Sequence, residues 1–257
     1  MASDADPLRK SVLVTGGSGG VGAAICSLLA DEGWDIGLTY RSRPERAAET
    51  VAAVRALGRE GEAWQTDLTD VQAATRLAGR FAERFGSAAA LVHAAGPYVD
   101  QLHLSAVEPE RFRRHLDGEA AAFFNVVSAL LPQLRERAGA IVAVTSVAVR
   151  RFPPRDGLSS APKAAVEALV RALAVEEGRF GIRANCVAPG ILDGGMTHRL
   201  IDSEEMHQRA LDAARSRIPL GRFGAVVEVA ELARFLISER AGYLTGQTID
   251  IDGGYSL

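Results

Sequence analysis

The sequence predicts a single α/β domain, doubly wound in the Rossmann manner, with a seven-stranded parallel sheet and helices on both faces. Three observations predict it. Apolar runs bounded by turn residues alternate with amphipathic stretches along most of the chain. A glycine-rich turn follows the first of those runs and opens the first amphipathic stretch. The 257 residues are 47% hydrophobic and 24% charged, enough to bury a core without disulfides or metals and too apolar for extended disorder.

Strands are expected at Ser11–Thr15, Asp35–Tyr40, Glu62–Gln65, Ala90–Ala94, Gly139–Thr145, Arg183–Ala188 and Thr248–Ile251. Between them, apolar residues at three- and four-residue steps predict helices at Ala23–Ala30, Pro44–Leu57, Val71–Phe85, Pro109–Arg137, Pro162–Phe180 and Val227–Ile237. The alternation breaks only at Leu192–Leu220, a polar segment after a strand's carboxyl end. Ligands bind at that edge of open α/β sheets, so the segment is expected to form a lid over the substrate. No internal repeat or low-complexity linker divides residues 1–257 into separate domains.

The net charge of −3 leaves no basic excess for a nucleic-acid surface. Met1–Lys10 has no secretory pattern and no apolar run reaches membrane-spanning length, so a cytoplasmic protein acting on a small molecule is expected, with no membrane partner. Cys26 and Cys186 fall inside a predicted helix and a predicted strand and read as small buried hydrophobes. Of 29 basic residues only Lys10 and Lys163 are lysines. In a chain that otherwise uses arginine, the internal Lys163 points to a need for a compact, titratable ammonium.

The first strand runs into Thr15-Gly16-Gly17-Ser18-Gly19-Gly20-Val21-Gly22. Glycines there let the backbone approach a pyrophosphate, and the following helix N-terminus offers unpaired N–H groups to the anion. The second strand ends in Arg41-Ser42-Arg43, where an NAD site would carry an acid for the ribose hydroxyls. A guanidinium and a hydroxyl suit a 2′-phosphate instead, so NADP(H) is the expected cofactor. Asp67, after the third strand, either accepts from the adenine amino group or caps the next helix.

From about Ser11 to Tyr255 these residues resemble the short-chain dehydrogenase/reductase family. The turn at Thr15–Gly22, His93-Ala94-Ala95-Gly96, Asn185-Cys186-Val187-Ala188-Pro189-Gly190 and Leu244-Thr245-Gly246-Gln247 with Asp252-Gly253-Gly254 carry the resemblance, and its flavour is that of 3-oxoacyl-carrier-protein reductases. The resemblance implies cofactor contacts from Gly16, Ser18, Gly20, Val21 and Gly22, from Arg41, Ser42, Asp67 and Leu68, and from Ala94, Ala95 and Gly96. It extends them to Lys163, Pro189, Gly190 and Ile191. It also implies a homo-oligomer, a dimer or tetramer.

The family's active site is Ser, Tyr and Lys with a supporting Asn. Ser146 and Lys163 match the first and third. Ser159 stands where Tyr is expected, four residues before Lys163, and Glu119 stands at the Asn position. A positioned general acid contributes about 10²–10⁴-fold, roughly 3–5 kcal/mol of barrier, and a serine hydroxyl is a far weaker acid than a phenol. The resemblance therefore implies an atypical reductase of an activated substrate, a conjugated C=C, an imine or a carbonyl, of the kind that secondary metabolism uses. Peroxisomal 2,4-dienoyl-CoA reductases are similar in lacking the Tyr and carrying an acid at the Asn position. A non-redox cyclase, isomerase or dehydratase, or an inactive partner subunit, are the alternatives.

Glu119 is either an acid acting through water or a surface residue paired with Arg111, Arg113 or Arg114. Tyr98 is a candidate acid or a packing residue, and His93 reads as a satisfied structural histidine. His103, His115, His198 and His207 lack metal-ligand spacing, so no metal is expected. The arginines of Arg150-Arg151-Phe152-Pro153-Pro154-Arg155 either receive an acidic group of the substrate or are solvated.

Overall fold

Strand β1 (Ser11–Thr15) is buried at every position, as a strand covered by helices on both faces must be. In the computed structural model of the chain, residues 10–194 and 208–257 are described. Six parallel neighbours complete the sheet: β2 (Asp35–Tyr40), β3 (Gly61–Gln65), β4 (Ala90–His93), β5 (Ala140–Val144), β6 (Arg183–Pro189) and β9 (Thr248–Ile251), in the order β3-β2-β1-β4-β5-β6-β9. The winding reverses between β1 and β4, where Val12 to Thr15 pair with Ala90 to His93. That switch point leaves a crevice at the carboxyl ends of the strands.

The period of two along each strand sorts side chains between two cores. Val12 and Val14 of β1, Ala90 and Val92 of β4 and Val142 of β5 join α1 (Gly20–Asp31), α2 (Pro44–Ala56) and α9 (Val226–Ile237) on one face. Leu13, Leu91, Ile141 and Ala143 point to the other, against α3 (Val71–Phe85), α5 (Ala122–Glu136) and α7 (Gly157–Glu177). There Trp64 packs edge-on against Phe81 and Phe85, with ring centroids 6.2 and 6.0 Å away. Cys26 and Cys186 are buried free thiols, as expected, and burial pushes the Cys186 thiol up to about 12.

All seven expected strands are present, with ends moved by about a residue. Two helices differ more. The stretch expected as Pro109–Arg137 is α4 (Pro109–Leu116), a π turn at Asp117–Ala121 and then α5. The turn falls on Asp-Gly-Glu, whose aspartate and glycine are poor helix formers, and it carries Glu119 inward. Helix α7 starts at Gly157 rather than Pro162, because the Asp156 carbonyl accepts from the N–H groups of Ser159 and Ser160 at 3.0 and 2.9 Å. Pro162 is tolerated inside it and buried.

Short elements carried no periodic signal: α6 (Ala148–Arg151), β7 (Leu192–Asp193) and β8 (Gly224–Ala225), the last two paired with each other. Most of the expected lid core, residues 195–207 with His198 and His207, lies outside the described residues. Its last part forms α8 (Gln208–Arg215) and returns to the body through buried Leu211 and Ile218 and a bond from Leu220 N–H to the Gly253 carbonyl at 3.1 Å. Among the described residues no helix is long and apolar enough to cross a membrane.

Candidate active site

The crevice at the switch point has a volume of about 490 Å³. Its floor is the turn between β1 and α1. Gly16 adopts a φ of +69°, and a Cβ on Gly22 would stand 2.3 Å from the Gly16 carbonyl oxygen, so both positions demand glycine. The turn is tied to β2 by Gly17 N–H bonding the Thr39 carbonyl at 3.0 Å and Gly16 N–H bonding Thr39 Oγ1 at 3.3 Å. Among the described residues no side chain caps the N-terminus of α1. Its first N–H groups and the helix dipole therefore face the crevice open to an anion such as a pyrophosphate.

Gly16, Ser18, Gly20, Val21 and Gly22 line the crevice, as do Arg41, Ser42, Asp67, Leu68, Ala94, Ala95, Gly96, Tyr98, Glu119 and Lys163. Ser146, Ser159, Pro189, Gly190 and Ile191 do not line it. Ser146 Oγ accepts from Ala148 N–H at 3.1 Å and starts α6. Pro189 accepts from Val147 N–H at 3.0 Å, and Gly190 N–H donates to Ile251 at 3.0 Å, so this segment is bound into the sheet end. The cap of α3 is Asp70, which accepts from Gln72 N–H at 2.8 Å. Asp67 instead accepts from the Thr69 hydroxyl and N–H at 2.8 and 3.0 Å, and these bonds, with Arg41 nearby, hold its carboxyl below the usual range.

Two chemically active side chains meet at the inner end. Lys163 Nζ on α7 donates to Glu119 Oε1 at 2.5 Å, with the two side chains 16% and 5% exposed. The reading of Glu119 as a surface partner of the α4 arginines is thereby corrected: Arg111 pairs with Asp100 and Arg113 with Glu110. The π turn is what brings the carboxylate inward, and no periodicity in the sequence announces it. Gly96 makes room, since a Cβ there would stand 2.8 Å from Glu119 Oε2. Pairing the two groups offsets the cost of placing the Glu119 carboxylate in the interior.

His93 is buried beside this pair, its ring edge-on to Phe123 at 5.2 Å. Burial first, and the Lys163 charge second, push its pKa down to about 3, so the ring is neutral. Its Nδ1 bonds Thr15 Oγ1 at 3.0 Å, while Nε2 has no hydrogen-bond partner among the described residues. The expectation of a satisfied histidine is thus corrected to a half-satisfied one.

The arginine loop is corrected as well. Arg150 is committed to Glu167 at 3.1 Å and to Asp250, so it is not free for a substrate's charge, while Arg151 is exposed and lies over the Tyr255 ring at 5.0 Å. The sequence reading passed over Asp156, because Pro162 marked the expected helix start. Once α7 begins at Gly157, Asp156, Ser159 and Lys163 fall at i, i+3 and i+7 on one face. That spacing was the available signal.

A sequence profile of the family described as enoyl-(acyl carrier protein) reductase matches residues 16–256. The chain is 35% identical to a 3-oxoacyl-(acyl-carrier-protein) reductase of Staphylococcus aureus over 248 residues, 96% of this chain and 98% of that protein. It is 32% identical to the corresponding reductase of Chlamydia muridarum, over 96% of this chain and 97% of that one. Among solved structures, a short-chain type dehydrogenase/reductase from Mycobacterium ulcerans superposes with a TM-score of 0.90 at 26% identity, covering 96% of this chain and 90% of that one. A dehydrogenase/reductase from Sinorhizobium meliloti gives 0.89 at 31%, covering 96% and 95%. With its seven-stranded parallel sheet and its glycine turn at the switch point, the chain belongs to the short-chain dehydrogenase/reductase family of oxidoreductases.

Proposed function

We propose that this protein is an NADPH-dependent reductase of an activated substrate, a conjugated C=C, an imine or a carbonyl, with a non-standard acid site. The observation that carries the reading is the Lys163–Glu119 pair at the inner end of the crevice, four residues from a serine where the family's phenol stands. The residues present fit the cofactor. The uncapped α1 N-terminus and the close glycine turn suit its pyrophosphate, and the Arg41 guanidinium with the Ser42 hydroxyl suits its 2′-phosphate. When bound, NADPH supplies a hydride.

The remaining work falls to the chain. Lys163, oriented by Glu119, holds the ribose and places a positive charge where negative charge develops on the substrate. Ser146 and Ser159 stand outside the crevice lining, at the places of the family's orienting serine and its phenol, and are assigned to the acceptor group beyond Lys163, while Tyr98 lines the crevice itself. A substrate already polarised needs less acid assistance at the moment of reduction, which is why a serine suffices there. Phe124 on α5 and Val175 on α7, 54% and 85% exposed, support self-association of these helices into a homodimer or tetramer.

The test follows NADPH absorbance with cyclohexenone, pyrroline and cyclohexanone, for the wild-type protein and for Ser159→Tyr. The expected result is consumption with the enone or the imine by the wild type, and ordinary ketone reduction gained by the variant. No consumption with any of the three by either protein would remove the reading.

A further inference from the structure

Resting on the reductase reading, we propose that Asp156 is the proton source of this site, passing its proton through the Ser159 hydroxyl to the substrate. A serine hydroxyl by itself is too weak an acid to protonate a developing anion, since it would be left as an alkoxide. A carboxyl one helical turn away on the same face removes that obstacle. Ser159 then gives one proton and receives another, and the negative charge comes to rest on Asp156.

Four features of the structure support this. Asp156 immediately precedes α7, so that Ser159 and Lys163 succeed it at i+3 and i+7, and the Ser159 N–H bonds the Asp156 carbonyl at 3.0 Å, which sets the serine beside the aspartate, where its side chain favours the carboxylate. From the loop after β4, Gln101 Nε2 reaches Asp156 Oδ1 at 3.5 Å, and this loop is itself anchored by the Asp100–Arg111 pair from α4. The chain entering Asp156 is held in an unusual path: Phe152 and Arg155 have φ of 50° and 70°, a region that L side chains rarely adopt, and Pro153 and Pro154 stiffen the span between them. Such a path persists only where the surroundings fix it. Finally, burial raises the carboxyl's pKa although Gln101, the Lys163 charge and Ser159 all favour the carboxylate, so the group retains its proton beyond the ordinary aspartate range.

The step balances. A new C–H bond forms at the electrophilic carbon with both electrons of the hydride, the C=C or C=O π bond breaks, and the nicotinamide is oxidised as the substrate is reduced. The atom left negative takes the Ser159 proton, Ser159 takes the Asp156 proton, and the Asp156 carboxylate, favoured by the Lys163 charge, is reprotonated from water. An iminium needs no proton at that moment, so its reduction bypasses the relay.

Two measurements test the proposal. In the first, ¹³C NMR of aspartate carboxyls in the protein without nucleotide, assigned by Asp156→Asn, is expected to show Asp156 titrating above the reference of about 3.9. Lys163→Met and Ser159→Ala should each raise that midpoint further, because each removes a group that favours the carboxylate. In the second, Asp156→Asn should lower kcat for cyclohexenone by about 10²-fold or more, leave NADPH affinity within about threefold, and abolish the fall in kcat as pH rises through the Asp156 pKa; Asp156→Glu should restore part of the rate. A merely structural aspartate would lower kcat equally at every pH. A midpoint at or below the reference, or a variant with the wild-type pH profile, would overturn the proposal. A wild-type protein that consumes no NADPH sinks the reductase reading instead, and the carboxyl titration still rules on Asp156.

Discussion

At the scale of single residues, burial decides which groups carry charge, and His93 gives the clearest consequence. Its folded pKa lies near 3 against 6.5 when exposed, so between those values the unfolded chain binds a proton that the folded one refuses. The stability this neutral ring preserves is therefore fully present above pH 6.5 and is lost as pH falls, by up to roughly 1.4 kcal/mol per pH unit. Urea unfolding at stepped pH should show this slope in the wild type and its loss in His93→Asn; equal slopes would refute the assignment. The types of the residues around this histidine were legible in the sequence: a lone internal lysine, a serine for a tyrosine, a glutamate for an asparagine. What they touch was not. Glu119 could be placed on a helix from its neighbours, but its turn inward to Lys163 depends on a π turn that leaves no periodic trace.

At the scale of elements, legibility followed burial. The central strands β1, β4 and β5 are mostly apolar and covered on both faces, so their runs announce themselves. Helix starts were harder, because Pro162 signals a first turn yet sits inside α7, and the true start is set by backbone bonds to Asp156. That error hid Asp156 from the sequence reading. Two-residue strands such as β7 and β8 are too short for any pattern to reveal. The turn between β1 and α1 was readable because its glycines are dictated by geometry rather than by packing alone. Gly22→Ala forces a methyl to 2.3 Å from the Gly16 carbonyl oxygen, so the turn must open. Thermal unfolding and nucleotide titration of that variant should show a lower Tm and NADPH affinity reduced by about tenfold or more. Unchanged affinity would mean that the turn is not where the pyrophosphate sits.

At the scale of the whole molecule, two helical layers pack on a sheet whose winding reverses at one point, and the residues that line the crevice gather there from elements far apart in sequence. Gly16 comes from the turn after β1, Arg41 from that after β2, Asp67 from that after β3, Gly96 from that after β4, Glu119 from the π turn and Lys163 from α7. Such convergence explains why the architecture and the nucleotide turn could be read along the chain, while the acid site could not. The account rests on this crevice being a phosphorylated nicotinamide site. A ligand bound by the folded state alone adds about 2.7 kcal/mol at a hundred times its Kd. The direct measurement is equilibrium titration of the wild-type protein with NADPH and with NADH, alongside Arg41→Ala. Saturable binding of NADPH, tighter than NADH and with that preference lost in the variant, is the predicted result; binding of neither nucleotide, or a preference for NADH in the wild type, would contradict it.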